Sequence, residues 1–396
     1  MKEREPMIKP QDLKSYEAYM IDKRRDFHMH PEPGFHEFRT SDVIKQELLA
    51  LGYDVIDKIG VTGMVATLTG NKQGKTIGLR ADIDALRMQE ENDVPYKSQN
   101  DGVMHACGHD THTAMLLGAA KYWSDHKNEL NGTLKLVFQS AEEGPMPGGG
   151  SYVVGGGHID DVDAVFGLHI TTQNKKGEIV IKSGEAMAAP DEFRITIIGD
   201  GTHASAPHTG KDPIVAASNV VQAIQTILSR QISPLESAVI TVATIHGGSA
   251  FNIIPDSVEM TGTIRTLNND VRLDIFKKLE HTVKHTAKAF GCDAKVEIIE
   301  AYPPLINDPQ MSEFAMAIAK EVVGDQNATY AKEPSMGGED FAYYLQKKPG
   351  CFLWLGGRDP KQDTIYYNHN PKFDVDESSF VIGLAMHVNL VKEFLK

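Results

Sequence analysis

The segment His105-Ala106-Cys107-Gly108-His109-Asp110-Thr111-His112 sets three imidazoles and one thiol within eight residues, in a chain with only three cysteines. Thiolate and imidazole together suit a divalent transition metal. Cys107 and His109 are two positions apart, so on an extended or turning backbone they can share a side, and Gly108 between them permits a sharp bend. Two adjacent acids, Glu142 and Glu143, suit metal-assisted hydrolysis, in which one carboxylate holds metal and a neighbour takes a proton from the attacking water. His169 follows an apolar run and His369 lies in the loop Tyr366-Tyr367-Asn368-His369-Asn370-Pro371. Taken singly, each has a plainer reading: a helix-capping histidine, a solvated acidic turn, a rim histidine, an inert loop residue. Taken together, Cys107, His109, Glu143, His169 and His369 supply enough ligands for two cations if one bridges, and Glu142 remains as a base. Asp82 and Asp84 could orient a ligand histidine or cap a helix.

These residues converge only if the fold carries them to one place. Short apolar runs precede them: Ile77-Gly78-Leu79 before Asp82 and Asp84, Leu134 to Phe138 before Glu142, and Ala164 to Leu168 before His169. Cys351 to Leu355 is another such run. Such runs, alternating with helical stretches, read as strands buried on both faces of a mostly parallel sheet, and ligand sites in open α/β sheets lie beyond the strands' carboxyl ends. Positions 11–51 read as helix, with Thr40-Ser41-Asp42 as a cap and Gly52 as a stop. From 188 to 302 the pattern changes to strand, helix, strand, strand, helix, strand, the order of a ferredoxin-like unit. The expected fold is therefore α/β: a mostly parallel-sheet catalytic domain, 1–187 plus 303–396, interrupted by an inserted α+β ferredoxin-like domain at 188–302.

The bulk composition narrows the class. At 396 residues the chain exceeds what one core usually serves, and 41% hydrophobic with 24% charged residues is ordinary for a globular protein. A formal net charge of −14 argues against nucleic acid or anionic lipid as partner. No apolar run is long enough to span a bilayer, and the charged start Met1-Lys2-Glu3-Arg4-Glu5-Pro6 lacks a signal-like apolar stretch. Cys107, Cys292 and Cys351 are too sparse for a disulfide framework, so the expected compartment is the cytoplasm.

The ordered motifs resemble the M20 metallopeptidase family, specifically its M20D amidohydrolase branch, which includes hydrolases of N-acyl amino acids, hippurate and auxin conjugates. The resemblance rests on Asp26 to Phe35, Leu79 to Leu86, Met104 to His112, Ala141-Glu142-Glu143-Gly144, Gly167-Leu168-His169 and His203 to His208. It continues through Gly247 to Pro255, Gly262-Thr263-Ile264-Arg265, Gly338-Glu339-Asp340-Phe341 and the His369 loop. It implies that Cys107, His109, Glu143, His169 and His369 ligate two divalent cations (zinc, manganese or cobalt), with Glu142 as general base. Asp84 would support a ligand, and Asp82 stands where other branches carry a ligand histidine. His203, from the inserted domain, would hold the oxyanion, and Asn252 and Arg265 would meet the substrate carboxylate. The inserted domain would serve as a lid and dimerisation domain, giving a homodimer or homotetramer. Arg87 and Ser140 stand where the branch usually has proline.

The implied reaction is hydrolysis of R–CO–NH–CHR′–COO⁻, an N-acyl amino acid or a short peptide, by a metal-held hydroxide. A dipeptidase or carboxypeptidase on the same scaffold is the nearest alternative. A metal-binding protein without hydrolytic activity, and a hydrolase using Cys107 as nucleophile, are the others.

Overall fold

The computed structural model describes residues 6–361 and 364–396. Its contacts separate into two compact units, one comprising 1–184, 307–333 and 340–396, the other 185–306 and 334–339.

In chain order the first unit begins with α1 (Glu17–Met29), α2 (Phe38–Ala50), β1 (Asp54–Ile59), β2 (Gly63–Thr69) and β3 (Thr76–Asp82). There follow α3 (His109–Asp125), β4 (Thr133–Gln139), α4 (Gly149–Gly155), β5 (Ala164–Lys175) and β6 (Ile179–Ile181). The helix expected across 11–51 is instead two α-helices, broken where Pro31, Pro33 and Gly34 interrupt the pattern. The expected cap at Thr40-Ser41-Asp42 lies inside α2. The Glu32 carboxylate accepts from the amides of Arg39 (3.1 Å) and Thr40 (2.8 Å) in its place.

The second unit supplies β7 (Ala189–Ile198), β8 (Thr202–His203), α5 (Pro213–Thr226), β9 (Ala238–Gly247), β10 (Ile253–Ile254), β11 (Ser257–Thr266), α6 (Asn269–Ala289) and β12 (Asp293–Ile299). The chain then returns to the first unit with α7 (Pro309–Val323), β13 (Ala328–Tyr330), β14 (Gly350–Arg358) and α8 (Phe380–Phe394).

The sheet of the first unit has eight strands in the order β1-β2-β4-β3-β5-β14-β6-β13. Its centre is parallel, β4 to β3, β3 to β5 and β5 to β14, with antiparallel pairs at β1–β2, β2–β4 and β14–β6. Ile77, Leu79 and Ala81 of β3, and Leu134, Leu136 and Phe138 of β4, are buried, as central strands covered on both faces require. Helices α1, α3 and α8 pack closely. A Cβ at Gly118 of α3 would fall 2.7 Å from Met20 Sδ of α1 and 3.6 Å from Leu384 Cδ1 of α8. The strand expected to end at His169 runs on to Lys175.

The second unit is a four-stranded antiparallel sheet, β9-β11-β7-β12, with α5 and α6 against it. Numbered within the unit, that order is 2-3-1-4, the ferredoxin-like arrangement. Side-chain caps start both helices: Asp212 accepts from the Ile214 and Val215 amides, and Asn268 from those of Asp270 and Val271. Arg272 of α6 bonds both oxygens of Asp191 on β7, at 2.7 and 2.6 Å. Residues 334–339, which the sequence pattern assigned to the catalytic domain, group with this unit.

Candidate metal centre

The site forms beyond the carboxyl ends of β3 and β4, along β5, and on the loop before α8. Gly108 caps α3 with φ 91°, and a Cβ there would meet Ile170 Cγ2 at 2.6 Å, so both the turn and the space demand glycine. That turn places Cys107 before the helix and His109 as its first residue. Ala141, φ 50°, precedes Glu142-Glu143, and its amide is held by Glu37 Oε1 at 2.8 Å. His369 also has positive φ, 68°, and its amide donates to Ala106 O at 2.7 Å. Two non-glycine residues in the left-handed region, each held by a hydrogen bond, mark a backbone shaped for what it presents.

All five expected ligands come together. Ligand atoms of Cys107, His109 and His169 lie within 4.8 Å of one another, and so do those of Cys107, Glu143 and His369. Cys107 Sγ therefore belongs to both triads, 3.4 Å from His169 Nε2 and 3.3 Å from His369 Nε2. Glu143 Oε1 is 3.0 Å from His369 Nε2. Glu142 is buried beside them, with a carboxylate oxygen within 4.8 Å of His109 and Glu143. Asp84 braces two ligands at once: its Oδ1 lies 3.2 Å and its backbone oxygen 3.0 Å from His109 Nδ1, and its Oδ2 accepts the Glu143 amide at 2.9 Å. His109 thus carries its proton on Nδ1 and turns Nε2 to the cluster. His169 does likewise, with Nδ1 bonded to Ile170 O at 2.7 Å.

The electrostatics ask for a cation. Burial pushes the Cys107 thiol well above its ordinary pKa, and Glu143, Glu142 and Asp82 push it further. Burial alone would lower His109, yet Asp82, Asp84 and Glu143 outweigh it and raise the imidazole to about 10. A proton held so tightly is the local substitute for positive charge. His109 Nε2 is buried without a hydrogen-bond partner, an expensive arrangement unless a cation completes it. Soft thiolate, imidazole and carboxylate donors around shared space fit divalent transition metals.

The other two imidazoles of the same segment have different surroundings. His112 Nδ1 lies 2.6 Å from Asp82 Oδ1, and its Nε2 accepts the Ile170 amide at 2.8 Å. His105 is buried with both nitrogens unpartnered, and burial pushes it down to about 3.

The remaining expected site residues, His203, Asn252 and Arg265, belong to the second unit and are described within it. His203 on β8 is exposed, and its Nδ1 accepts from the Ser205 amide at 3.1 Å. Asn252, in an exposed turn beside the fully exposed Phe251, accepts the Ala204 amide through its backbone oxygen at 3.0 Å. Arg265 on β11 donates through Nε to Thr263 Oγ1 at 3.1 Å, and partial burial lowers its pKa.

Comparison with known proteins gives this cluster a lineage. A family model described as "Peptidase family M20/M25/M40" matches residues 78–393. The chain belongs to that family. Among its relatives, thermostable carboxypeptidase 2 of Saccharolobus solfataricus is 40% identical, over 97% of each chain. N-acetyl-L-cysteine deacetylase of Bacillus subtilis is also 40% identical, over 94% of this chain and 87% of that one. A solved Bacillus subtilis structure, described as a dinuclear metal binding peptidase from the M20 family, superposes with a TM-score of 0.83 at 33% identity, covering 96% of this chain and 99% of that one. As an M20 member the protein is a metal-dependent hydrolase of amide bonds.

Several residues that shape this M20 site escaped the sequence reading. Asn368 Nδ2 donates to Cys107 O (2.9 Å) and Ile170 O (3.2 Å), stitching the His369 loop to both neighbours. Arg24 is wholly buried on α1. It bonds Asp110 Oδ2 (2.9 Å), next to His109, and Asp374 Oδ1 (2.8 Å), five residues past His369. His28, one turn on, shares Asp110 Oδ2 at 2.8 Å. An Arg and a His at i,i+4 on a helix that must be buried was the available signal. Ser140, where the branch usually has proline, is buried and donates its hydroxyl to Gly60 O at 3.0 Å, tying down the Glu142 loop. Arg87 is exposed.

Proposed function

We propose that this M20 enzyme is a dinuclear amidohydrolase that cleaves N-acyl amino acids, R–CO–NH–CHR′–COO⁻, to a carboxylic acid and a free amino acid. The reading is carried by Cys107 Sγ standing in both ligand triads while His109 Nε2 is buried without a hydrogen-bond partner. Cys107, His109, Glu143, His169 and His369 hold two divalent cations. The thiolate favours zinc or cobalt, the carboxylate manganese. When bound, such a pair would acidify a water molecule and polarise the amide carbonyl.

The protein's own groups do the rest. Glu142, buried beside the cluster, takes the proton of the attacking water and passes it to the leaving nitrogen. Asp84 holds the His109 tautomer and the Glu143 backbone. His203 stabilises the oxyanion, and Asn252 with Arg265 receives the substrate carboxylate, for which a guanidinium fork is well shaped. Carboxypeptidase or dipeptidase action is the second reading, favoured by the similarity to a thermostable carboxypeptidase.

The second unit is read as a lid and dimerisation domain, and the protein as a homodimer or homotetramer. Strand β9 is an edge with one neighbour and exposed Val239 and Ile245, a surface open to a second copy. The cytoplasm is the proposed compartment. No helix among the described residues is long and apolar enough to cross a membrane.

The test is a hydrolysis screen across acetyl- and benzoyl-amino acids and dipeptides, with and without chelator, read by mass spectrometry. Faster cleavage of acyl amino acids, abolished by chelator and restored by metal, supports the first reading. Faster cleavage of dipeptides transfers the assignment to a peptidase, and turnover indifferent to chelation overturns both.

A further inference from the structure

Strand β5 loses a neighbour just where it delivers a ligand. Its pairing with β3 runs from Ala164 to Gly167 and stops there, opposite Arg80, whereas pairing with β14 continues past His169. Beyond Gly167 the amides facing the β3 side need another acceptor, because a buried N–H is seldom left unpaired. Ile170 finds one in a side chain: its amide donates to His112 Nε2 at 2.8 Å.

That bond fixes the chemistry of His112. A nitrogen accepting from a backbone N–H carries no proton, so the ring proton sits on Nδ1, where it donates to Asp82 Oδ1 at 2.6 Å. Neither nitrogen is left to bind metal, although His112 shares a helix with His109 and lies ring to ring with His169, 4.5 Å between centroids. Asp82 is anchored in turn by Arg80, whose Nη1 donates to Oδ2 at 2.7 Å. The amide so held lies in the peptide that joins His169 to Ile170, and the carbonyl oxygen of Ile170, one peptide further on, accepts from His169 Nδ1 at 2.7 Å.

We propose that His112 is a positioning residue for the metal centre: it extends the Arg80–Asp82 anchor to the Ile170 amide and thereby fixes the ring of His169 against Cys107. Its imidazole replaces the strand that β3 no longer provides. The inference rests on the dinuclear reading, since it assigns His169 a cation to hold. Supporting groups of this kind commonly set metal affinity by about 10–100-fold.

Two isosteric halves of the ring separate the links. His112→Asn keeps a donor near Asp82 and loses the acceptor for Ile170. His112→Gln places its amide oxygen where Nε2 was and gives up the Asp82 link. Each variant, and Asp82→Asn, is loaded with zinc as the full-length protein. Stoichiometry is measured by elemental analysis, zinc release is followed with a chromophoric chelator, and the melting temperature of the metal-free form is recorded. The expected result is that His112→Asn releases one of its two ions about 10–100-fold faster than wild type, with the other unchanged. His112→Gln and Asp82→Asn, which both keep the Ile170 acceptor and lose the Asp82 anchor, should fall between and resemble each other. A purely structural role would lower the metal-free melting temperature and leave release of both ions untouched, and that result overturns the proposal. If His112→Asn does not fold, the remaining pair decides: selective loosening of one ion in both His112→Gln and Asp82→Asn supports the relay, and unaltered release in His112→Gln overturns it. Wild-type protein that takes up fewer than two ions refutes the dinuclear reading itself, whereas unchanged variants of a two-ion protein refute only the relay.

Discussion

The ligand cluster of the first unit and the proposed substrate-binding residues of the second are held in opposite ways. Around Cys107 nearly every group has a fixed partner: Asp84 grips His109 and the Glu143 amide, Asn368 and the Ala106 carbonyl hold the His369 loop, and Ile170 fixes His169. Burial makes each of those partners matter, because an orphaned polar group there costs about 1–3 kcal/mol. In the second unit His203 and Asn252 are exposed, and Arg265 has a single good side-chain bond, to Thr263. Chemistry at a metal needs its donors in place before the reaction, whereas residues that meet only the substrate's outer groups can leave their donors open to it. On the proposed function, the first region would govern whether the site exists, and the second which molecules use it.

The largest effects should come from the first region, and they should separate metal holding from catalysis. Glu142→Gln is expected to keep both ions and lower kcat by about 10²–10⁴-fold. Metal analysis beside initial rates checks it, and a variant of ordinary activity removes Glu142 as the base. Cys107 stands in both triads, and His369 in the Glu143 triad only. Cys107→Ala should accordingly lose both ions on dialysis and His369→Ala one. Equal losses from the two variants would end the idea that the thiolate is shared.

The second region should answer more softly. Arg265→Ala is expected to leave metal content and melting temperature unchanged while raising KM about 10–100-fold for substrates with a free carboxylate, the equivalent of ~1.5–3 kcal/mol for a charged hydrogen bond. Amide-capped versions of the same substrates should show little change. If capped and uncapped substrates suffer alike, Arg265 does not read the carboxylate, and the contrast between the regions loses its functional half.

The same contrast explains what the amino-acid sequence revealed. The candidate ligands were legible as a set: Cys107, His109, Glu143, His169 and His369 each had a plainer reading alone, and together their thiol, imidazole and carboxylate groups near apolar strands pointed to metal. The ferredoxin-like order was legible because alternation in β7 and β11 and helical spacing in α6 are local patterns. The supporting partners were not. His112 has the same side chain as the ligands beside it, and only the Ile170 amide, 58 residues away, shows what it does. Arg80 is a polar residue in a buried strand, and only distant Asp340 together with Asp82 shows why its guanidinium is there. Glu32 took the capping role that Thr40-Ser41-Asp42 advertised, because the turn through Pro31 and Pro33 carries its carboxylate to the start of α2. Residues 334–339 joined the second unit through contacts that leave no trace in their own composition.

Glu37 should have the smallest effect on turnover, and it tests how far the rigidity of the first region extends beyond the ligands. Its carboxylate accepts the Ala141 amide at 2.8 Å and the Thr62 hydroxyl at 2.5 Å, so it fixes the strained residue just before Glu142. Burial, and then the charge of Asp84, raises its pKa from 4.5 to about 7. A carboxyl whose folded pKa is raised binds its proton more tightly in the native than in the unfolded chain. The folded state is therefore favoured below about pH 4.5, and that advantage drains away as pH climbs towards 7. Denaturant unfolding of the metal-free protein should show stability falling across that window. Glu37→Gln, which has the shape of the neutral acid and an oxygen for the Ala141 amide, should flatten the slope there while leaving zinc stoichiometry as it was. A slope that survives the substitution would mean that another group titrates, and that the bracing of this loop does not depend on the proton of Glu37.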